Sequence, residues 1–188
     1  MARGLKSSVL TKLNMEVVMN SSCSLRLSDS QKKWRIGIID GPNIGNISQA
    51  QGGRDHHLSS WQALCDMTQQ IGQGLGVEVV NFTSNYEGKI LEWLHSNAQN
   101  FDALIVNPGG LTTYSEGLRH ALEETRKPFV EVHFFNTVKH FAKVSPHIRL
   151  ESRLTASATG LVSGFGEHSY TAALVAMANY LDDFVAHQ

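Results

Sequence analysis

At 188 residues the chain has room for one ordinary domain with a sizeable core, and a second domain is not expected. Its 16 basic and 17 acidic residues leave a net charge of −1, which gives no electrostatic case for a nucleic acid or a membrane surface and leaves small molecules or protein chains as partners. Two cysteines, Cys23 and Cys65, build no disulfide framework and suit a reducing, cytoplasmic setting, and no apolar run reaches the roughly 18 residues of a membrane span.

Residues 1–33 carry Ser, Lys and Arg with scattered Leu and Val and no sustained period, so they are expected to be a flexible N-terminal extension. Arg3, Lys6 and Lys12 among serines also suggest a targeting peptide, but Glu16 and Val17-Val18-Met19 interrupt that composition. The domain is expected over residues 34–188. Ile36, Ile38 and Ile39 form a short buried strand that stops at the turn cluster Asp40-Gly41-Pro42-Asn43. The polar loop from Ile44 to Leu58, with Gly52-Gly53-Arg54-Asp55-His56-His57 at its far end, has the length of a lid or binding segment.

Ser59 or Ser60 caps a helix that puts Trp61, Leu64, Met67 or Thr68, and Ile71 on one face and ends near Gly74 and Gly76. A second strand is predicted over 77–82 and a helix over 86–98, with Ile90, Leu91, Trp93 and Leu94 inward. Ala103-Leu104-Ile105-Val106 is a continuous apolar run, as in a strand covered on both faces, and it empties into Asn107-Pro108-Gly109-Gly110. A helix over 115–126 leads to a fourth strand at Phe129-Val130-Glu131-Val132-His133. A short helix at 138–143 and a fifth strand at 157–162 follow. The last helix, from His168, carries Tyr170, Leu174, Met177, Leu181 and Phe184 on one stripe.

Strands and helices alternate, and right-handed crossovers lay them into an α/β flavodoxin-like three-layer sandwich, a five-stranded parallel sheet in order 2-1-3-4-5. Ligands of such sheets bind at the switch point, beyond the carboxyl ends of strands one and three. Asn43 and Asn107 follow those strands, and Glu131 and His133 leave the adjoining fourth. In a strand, residues two apart share a face, so Glu131 and His133 point the same way as an acid/base pair. The four side chains are expected to converge on one cleft. The bland alternative for His133 is a histidine at a sheet edge held by a structural carboxylate.

DGPN at Asp40, SNYEG at Ser84 with WLH at Trp93, NPGGLT at Asn107, EVH at Glu131 and ATGLVSGFG at Ala158 together resemble the type II 3-dehydroquinate dehydratases, over essentially all of 35–187. The resemblance implies a hydro-lyase that needs no cofactor and no metal, assembles as a trimer or dodecamer, and eliminates water from a cyclic keto acid through an enolate. It implies that Asn43 holds a water that stabilises the enolate. It makes His133 the acid that protonates the departing hydroxyl, Glu131 its orienting partner and Asn107 a ligand of a substrate hydroxyl. Arg149 resembles the arginine that closes over the substrate.

The chain departs from the family where proton abstraction and carboxylate binding are concerned. The family's loop arginine and tyrosine after GPN are absent from the IGNISQAQGGRDHH stretch. Thr113 stands where the family has a histidine, Phe135 where it has a carboxylate-binding serine next to Asn136, and Asp40 where it has an asparagine. Arg54, His56 and His57 are the loop's candidate replacements for the missing base; an exposed polar lid is their bland reading. A hydratase or hydrolase of another cyclic or carbonyl compound and a catalytically silent binding protein are the alternatives.

Adjacent His56 and His57 beside Asp55 do not match a recognised metal spacing. Gly164-Phe165-Gly166 before the last helix is read as a tight turn rather than a phosphate site. His168 and Ser169, neighbours on a helix, do not face each other as triad members would.

Overall fold

The computed structural model describes residues 25–28, 32–47 and 57–185. Its strands are β1 (Arg35–Asp40), β2 (Glu78–Thr83), β3 (Ala103–Asn107), β4 (Phe129–His133) and β5 (Gly160–Ser163). They form one parallel sheet in the order 2-1-3-4-5, the flavodoxin-like arrangement expected. Its longer helices are α1 (Trp61–Leu75), α2 (Glu87–Asn97), α3 (Glu116–Thr125), α4 (Thr137–Val144) and α5 (His168–Tyr180).

The alternation of strand side chains separates two cores. Ile36, Ile38, Ile105, Val130 and Val132 face α1 and α5, where they meet Leu64, Leu75, Tyr170, Leu174 and Met177. Ile39, Leu104, Val106 and Phe129 face α2 and α3, against Ile90, Leu94, Leu118 and Leu122. At roughly 1.5–3 kcal/mol for each fully buried aliphatic side chain, these two layers fix the sheet between its helices. Trp93, on the second face, stacks between Phe82 at 4.9 Å and Phe101 at 5.4 Å.

The caps follow from sequence. The Ser60 hydroxyl accepts the Ala63 N–H at 3.1 Å at the start of α1, and Gly76 closes that helix at φ 68°. Ser115 caps α3 in the same way, accepting the Leu118 N–H at 3.0 Å.

Two expectations shift. The fifth strand begins at Gly160 rather than 157, because the Ser157 and Ala158 N–H groups turn back onto the Leu154 carbonyl, and pairing resumes only after Thr159 donates to Phe129 O. The last helix passes into a π-helical turn at Leu181–Val185, which rotates Phe184 off the apolar stripe and leaves it 60% exposed.

Part of the N-terminal extension lies on the domain: the Arg26 guanidinium grips Asp182 with two bonds of 2.7 Å, and Asn179 exchanges hydrogen bonds with the backbone of Leu25 and Leu27. The flexibility expected of residues 1–24 falls outside the described residues. No helix among the described residues is long and apolar enough to cross a membrane.

Candidate active site

At the carboxyl end of β4, Glu131 is fully buried and His133 is 3% exposed. The pleat turns both toward the α2 and α3 face, since Val130 and Val132 take the other. Their side chains meet, His133 Nε2 to Glu131 Oε1 at 2.7 Å. The second carboxylate oxygen accepts the Thr155 hydroxyl at 2.5 Å, and Ser152 also donates to the group. Burial pushes the Glu131 carboxyl upward, but the bonds from His133, Ser152 and Thr155 outweigh it and hold the group below the usual carboxylate range.

An ionised carboxylate only accepts, so Nε2 must carry the hydrogen it shares with Glu131. That fixes the tautomer. The other nitrogen, Nδ1, makes no hydrogen bond among the described residues, and it is the position from which an imidazolium would give up a proton. A lowered carboxyl contributes stability above its unfolded value near 4, and that contribution is lost as pH falls through the folded value.

The loops after β1 and β3 are clasped through their backbones. Gly41 N–H donates to Asn107 O at 2.8 Å and Gly110 N–H to Pro42 O at 3.0 Å. A Cβ on Gly41 would lie 2.2 Å from the Pro108 carbonyl oxygen, and one on Gly109, whose φ is +53°, would lie 2.3 Å from that of Pro42. The glycines of DGPN and NPGG are thus required by each other's loop. Gly109→Ala is expected to destabilise the domain by about 1–3 kcal/mol, from left-handed strain and displacement of Pro42, and to lower turnover through the shifted Asn43. Thermal melts alongside kinetics check this; an unchanged melting temperature would contradict the clasp. Asn43 itself is exposed, sits at φ 75°, and is anchored by its N–H to Asn85 Oδ1 at 2.9 Å.

The expected convergence of four side chains is only partly met. Asn107 is 2% exposed and faces α5, across the sheet from Glu131 and His133. Its Nδ2 donates to Tyr170 Oη at 2.8 Å, and its Oδ1 accepts the Gly109 N–H at 3.1 Å. Tyr170 in turn donates to Asp40 Oδ1 at 2.5 Å, and Trp61 Nε1 donates to Asp40 Oδ2 at 2.9 Å. Alternation decides the split: Asp40 and Asn107 are register partners on the face opposite to Glu131.

The remaining residues are more scattered. Thr113 is half-buried, and its carbonyl accepts Arg153 Nε at 3.2 Å. Phe135 packs against His140 in a tilted arrangement with ring centroids 4.5 Å apart, closer than its 6.5 Å to His133, so its ring leans toward α4. Asn136 caps α4, its Oδ1 accepting the Lys139 N–H at 3.0 Å. Arg149 is 89% exposed and paired with Glu151. It borders a cavity of about 680 Å³ between α4 and β5, whose walls include Phe141, His147, Leu161 and the Ser152 and Thr155 that hold Glu131. His57 is exposed, with its N–H 3.3 Å from both oxygens of Glu167. Arg54 and His56 lie outside the described residues. Among the described residues no three His, Cys, Asp or Glu side chains gather closely enough to hold a metal ion.

Sequence reasoning missed Ser152 and Thr155, which reach Glu131 from a segment with no periodic signal. It also assigned Trp61 and Tyr170 to apolar faces only, although a buried indole N–H or phenol needs a partner.

Comparison with known proteins gives one consistent result. The profile of the family described as Dehydroquinase class II matches residues 34–178. The 3-dehydroquinate dehydratase of Halothermothrix orenii is 35% identical over 150 residues, covering 78% of this chain and 95% of that one. The catabolic 3-dehydroquinase 2 of Aspergillus terreus is 35% identical over 140 residues, covering 73% and 89%. Among solved structures, the type II dehydroquinase from Propionibacterium acnes superimposes with a TM-score of 0.69 at 25% identity, covering 79% of this chain and 99% of its own.

Proposed function

We propose that this chain, which belongs to the class II dehydroquinase family, is a hydro-lyase converting 3-dehydroquinate to its conjugated dehydration product by acid/base catalysis. The observation that carries the reading is the buried Glu131–His133 pair, with Nδ1 left without a partner among the described residues. Protonated at Nδ1, His133 gives its proton to the departing hydroxyl as the carbon–oxygen bond breaks. Glu131, ionised throughout, stabilises the imidazolium and holds its ring. Asn43, exposed above the switch point, holds the water that hydrogen-bonds the enolate oxygen. Asn107 binds a ring hydroxyl, with Thr113, Phe135, Asn136 and Arg149 around the substrate.

No tyrosine occurs between Ile44 and Leu58, so removal of the proton next to the ketone falls to another group of that loop. His56 and His57 are its imidazoles, with Arg54 the nearby cation. Purified protein mixed with 3-dehydroquinate should generate the ultraviolet absorbance of the conjugated product; none at high enzyme concentration overturns the reading.

The working unit is a homo-oligomer, a trimer or dodecamer, in the cytoplasm. Val138, Val144, Ile148 and Leu161 form an exposed apolar zone around α4 and the edge strand β5, at 76%, 56%, 65% and 43% exposure, of the kind that association covers. The domain runs over residues 34–188, with 1–33 as its extension. Light scattering on the full chain reports the assembly, and a monomer at working concentration contradicts it.

A further inference from the structure

Asp40 closes β1 as the register partner of Asn107, and its chemistry reaches that side chain. Tyr170 has one hydroxyl hydrogen, and it is directed at Asp40 Oδ1, 2.5 Å away. Its oxygen can therefore only accept from Asn107, and the amide atom 2.8 Å away must be Nδ2. The Gly109 N–H, 3.1 Å from the other amide atom, independently requires that atom to be Oδ1. Two separate constraints agree on one amide orientation. It leaves one Nδ2 hydrogen of Asn107 without a partner among the described residues, at the carboxyl end of β3.

We propose that Asp40 is a positioning residue, which acts through the Tyr170 hydroxyl to make Asn107 present an N–H to its ligand, so that the group selected there is an oxygen acceptor. The amide is buried, so the wrong orientation would set a carbonyl against the same ligand oxygen. A ring hydroxyl oxygen with a free lone pair fits the donor; a ligand group that only donates does not.

The arrangement depends on the ionised form of Asp40. Once protonated, Asp40 can turn its own O–H to Tyr170, whose hydrogen then swings to Asn107 and asks for an acceptor there, while Gly109 still asks for one on the other side. One amide cannot meet both demands. The groups facing Asp40 are Tyr170 from α5, Trp61 and Cys65 from α1, and Asn107 from β3, with the Thr83 hydroxyl on its backbone carbonyl at 3.0 Å. Burial pushes the Cys65 thiol up to about 12 and the Tyr170 phenol well above its ordinary value, so both stay neutral around Asp40. Burial likewise pushes the Asp40 carboxyl up to about 6, against the bonds from Tyr170 and Trp61 that favour its charge. Folded-state stability from this group is therefore fully present below its unfolded value near 4 and lost as pH rises through about 6. The form that orders Asn107 is the one the core accommodates less well.

The kinetic part of the test rests on the dehydratase reading, whereas the spectroscopic part does not. In the ¹⁵N-labelled full chain, the Asn107 side-chain amide signals, assigned by their loss in Asn107→Asp, should follow one titration with a midpoint near 6. In Asp40→Asn, and in Tyr170→Phe as a second variant should the first fail to fold, that titration should vanish. With 3-dehydroquinate, KM should rise about tenfold on acidification through this range in the wild-type enzyme, the size of one neutral hydrogen bond, and stay flat in Asp40→Asn. A pH-independent Asn107 amide, or one that still titrates in both variants, overturns the proposal whatever the turnover. A titrating amide without turnover keeps the proposal and removes the dehydratase reading instead.

Discussion

His133→Ala should lower kcat for 3-dehydroquinate by about a hundred- to ten-thousand-fold, the usual contribution of a positioned general acid. The loss is specific because Nδ1 of His133 is the one imidazole atom at the end of β4 left for a reacting group, its Nε2 being bound to Glu131 at 2.7 Å. The cost in stability is smaller. Glu131 keeps the donors Ser152 and Thr155, so the truncation removes one bond from a buried carboxylate, worth about 1–3 kcal/mol. Kinetics and melting should therefore separate: turnover nearly abolished, melting temperature lowered by a few degrees, oligomer size unchanged. Undiminished kcat in a folded variant would remove His133 from the reaction and leave it a histidine held by a structural carboxylate.

Asp182→Ala is expected to give the largest loss of stability, about 3–5 kcal/mol. Its carboxylate, 1% exposed, accepts both bonds of the Arg26 fork at 2.7 Å, the Trp34 indole N–H at 2.7 Å and the Ser28 hydroxyl. The Arg26 bond does most to hold this carboxyl below the usual range; burial works against it, and Ser28 and Trp34 add to the lowering. Truncation takes the carboxylate from a guanidinium that is itself 9% exposed and keeps its bonds to the Leu75 and Lys32 carbonyls, and it leaves the fully buried Trp34 without its acceptor. In a domain of this size each kcal/mol moves the melting temperature by about 2–4 °C, so a fall of roughly 10 °C is expected. Because the carboxyl is lowered in the fold, its contribution is present above the unfolded value near 4 and lost as pH falls through the folded one. The melting-temperature gap between wild type and variant should accordingly narrow in acid. A gap independent of pH would show that the loss comes from packing rather than from the ion pair.

The fold was legible because each strand carried its own signature: Ile36 to Ile39, Ala103 to Val106 and the EVH strand are apolar runs that end in polar turns. Alternation with amphipathic helices then left few topologies. The pairing of Glu131 with His133 was legible for the same reason, since period two puts them side by side. The same periodicity, followed one step further, also separates Asn107 from them, because strand end and strand face are different properties. What could not be read was long-range and polar: Thr155 against Glu131, Tyr170 against Asp40, Arg26 against Asp182. Such contacts join segments 24, 130 and 156 positions apart, and no local pattern encodes them.

A structure of the protein with a ring analogue of 3-dehydroquinate that cannot lose water tests the central assignment most directly. His133 Nδ1 is expected within about 3 Å of the oxygen in the departing position, with Glu131 still bound to Nε2. An analogue bound with its ring hydroxyls away from His133, for instance in the cavity between α4 and β5, would contradict it.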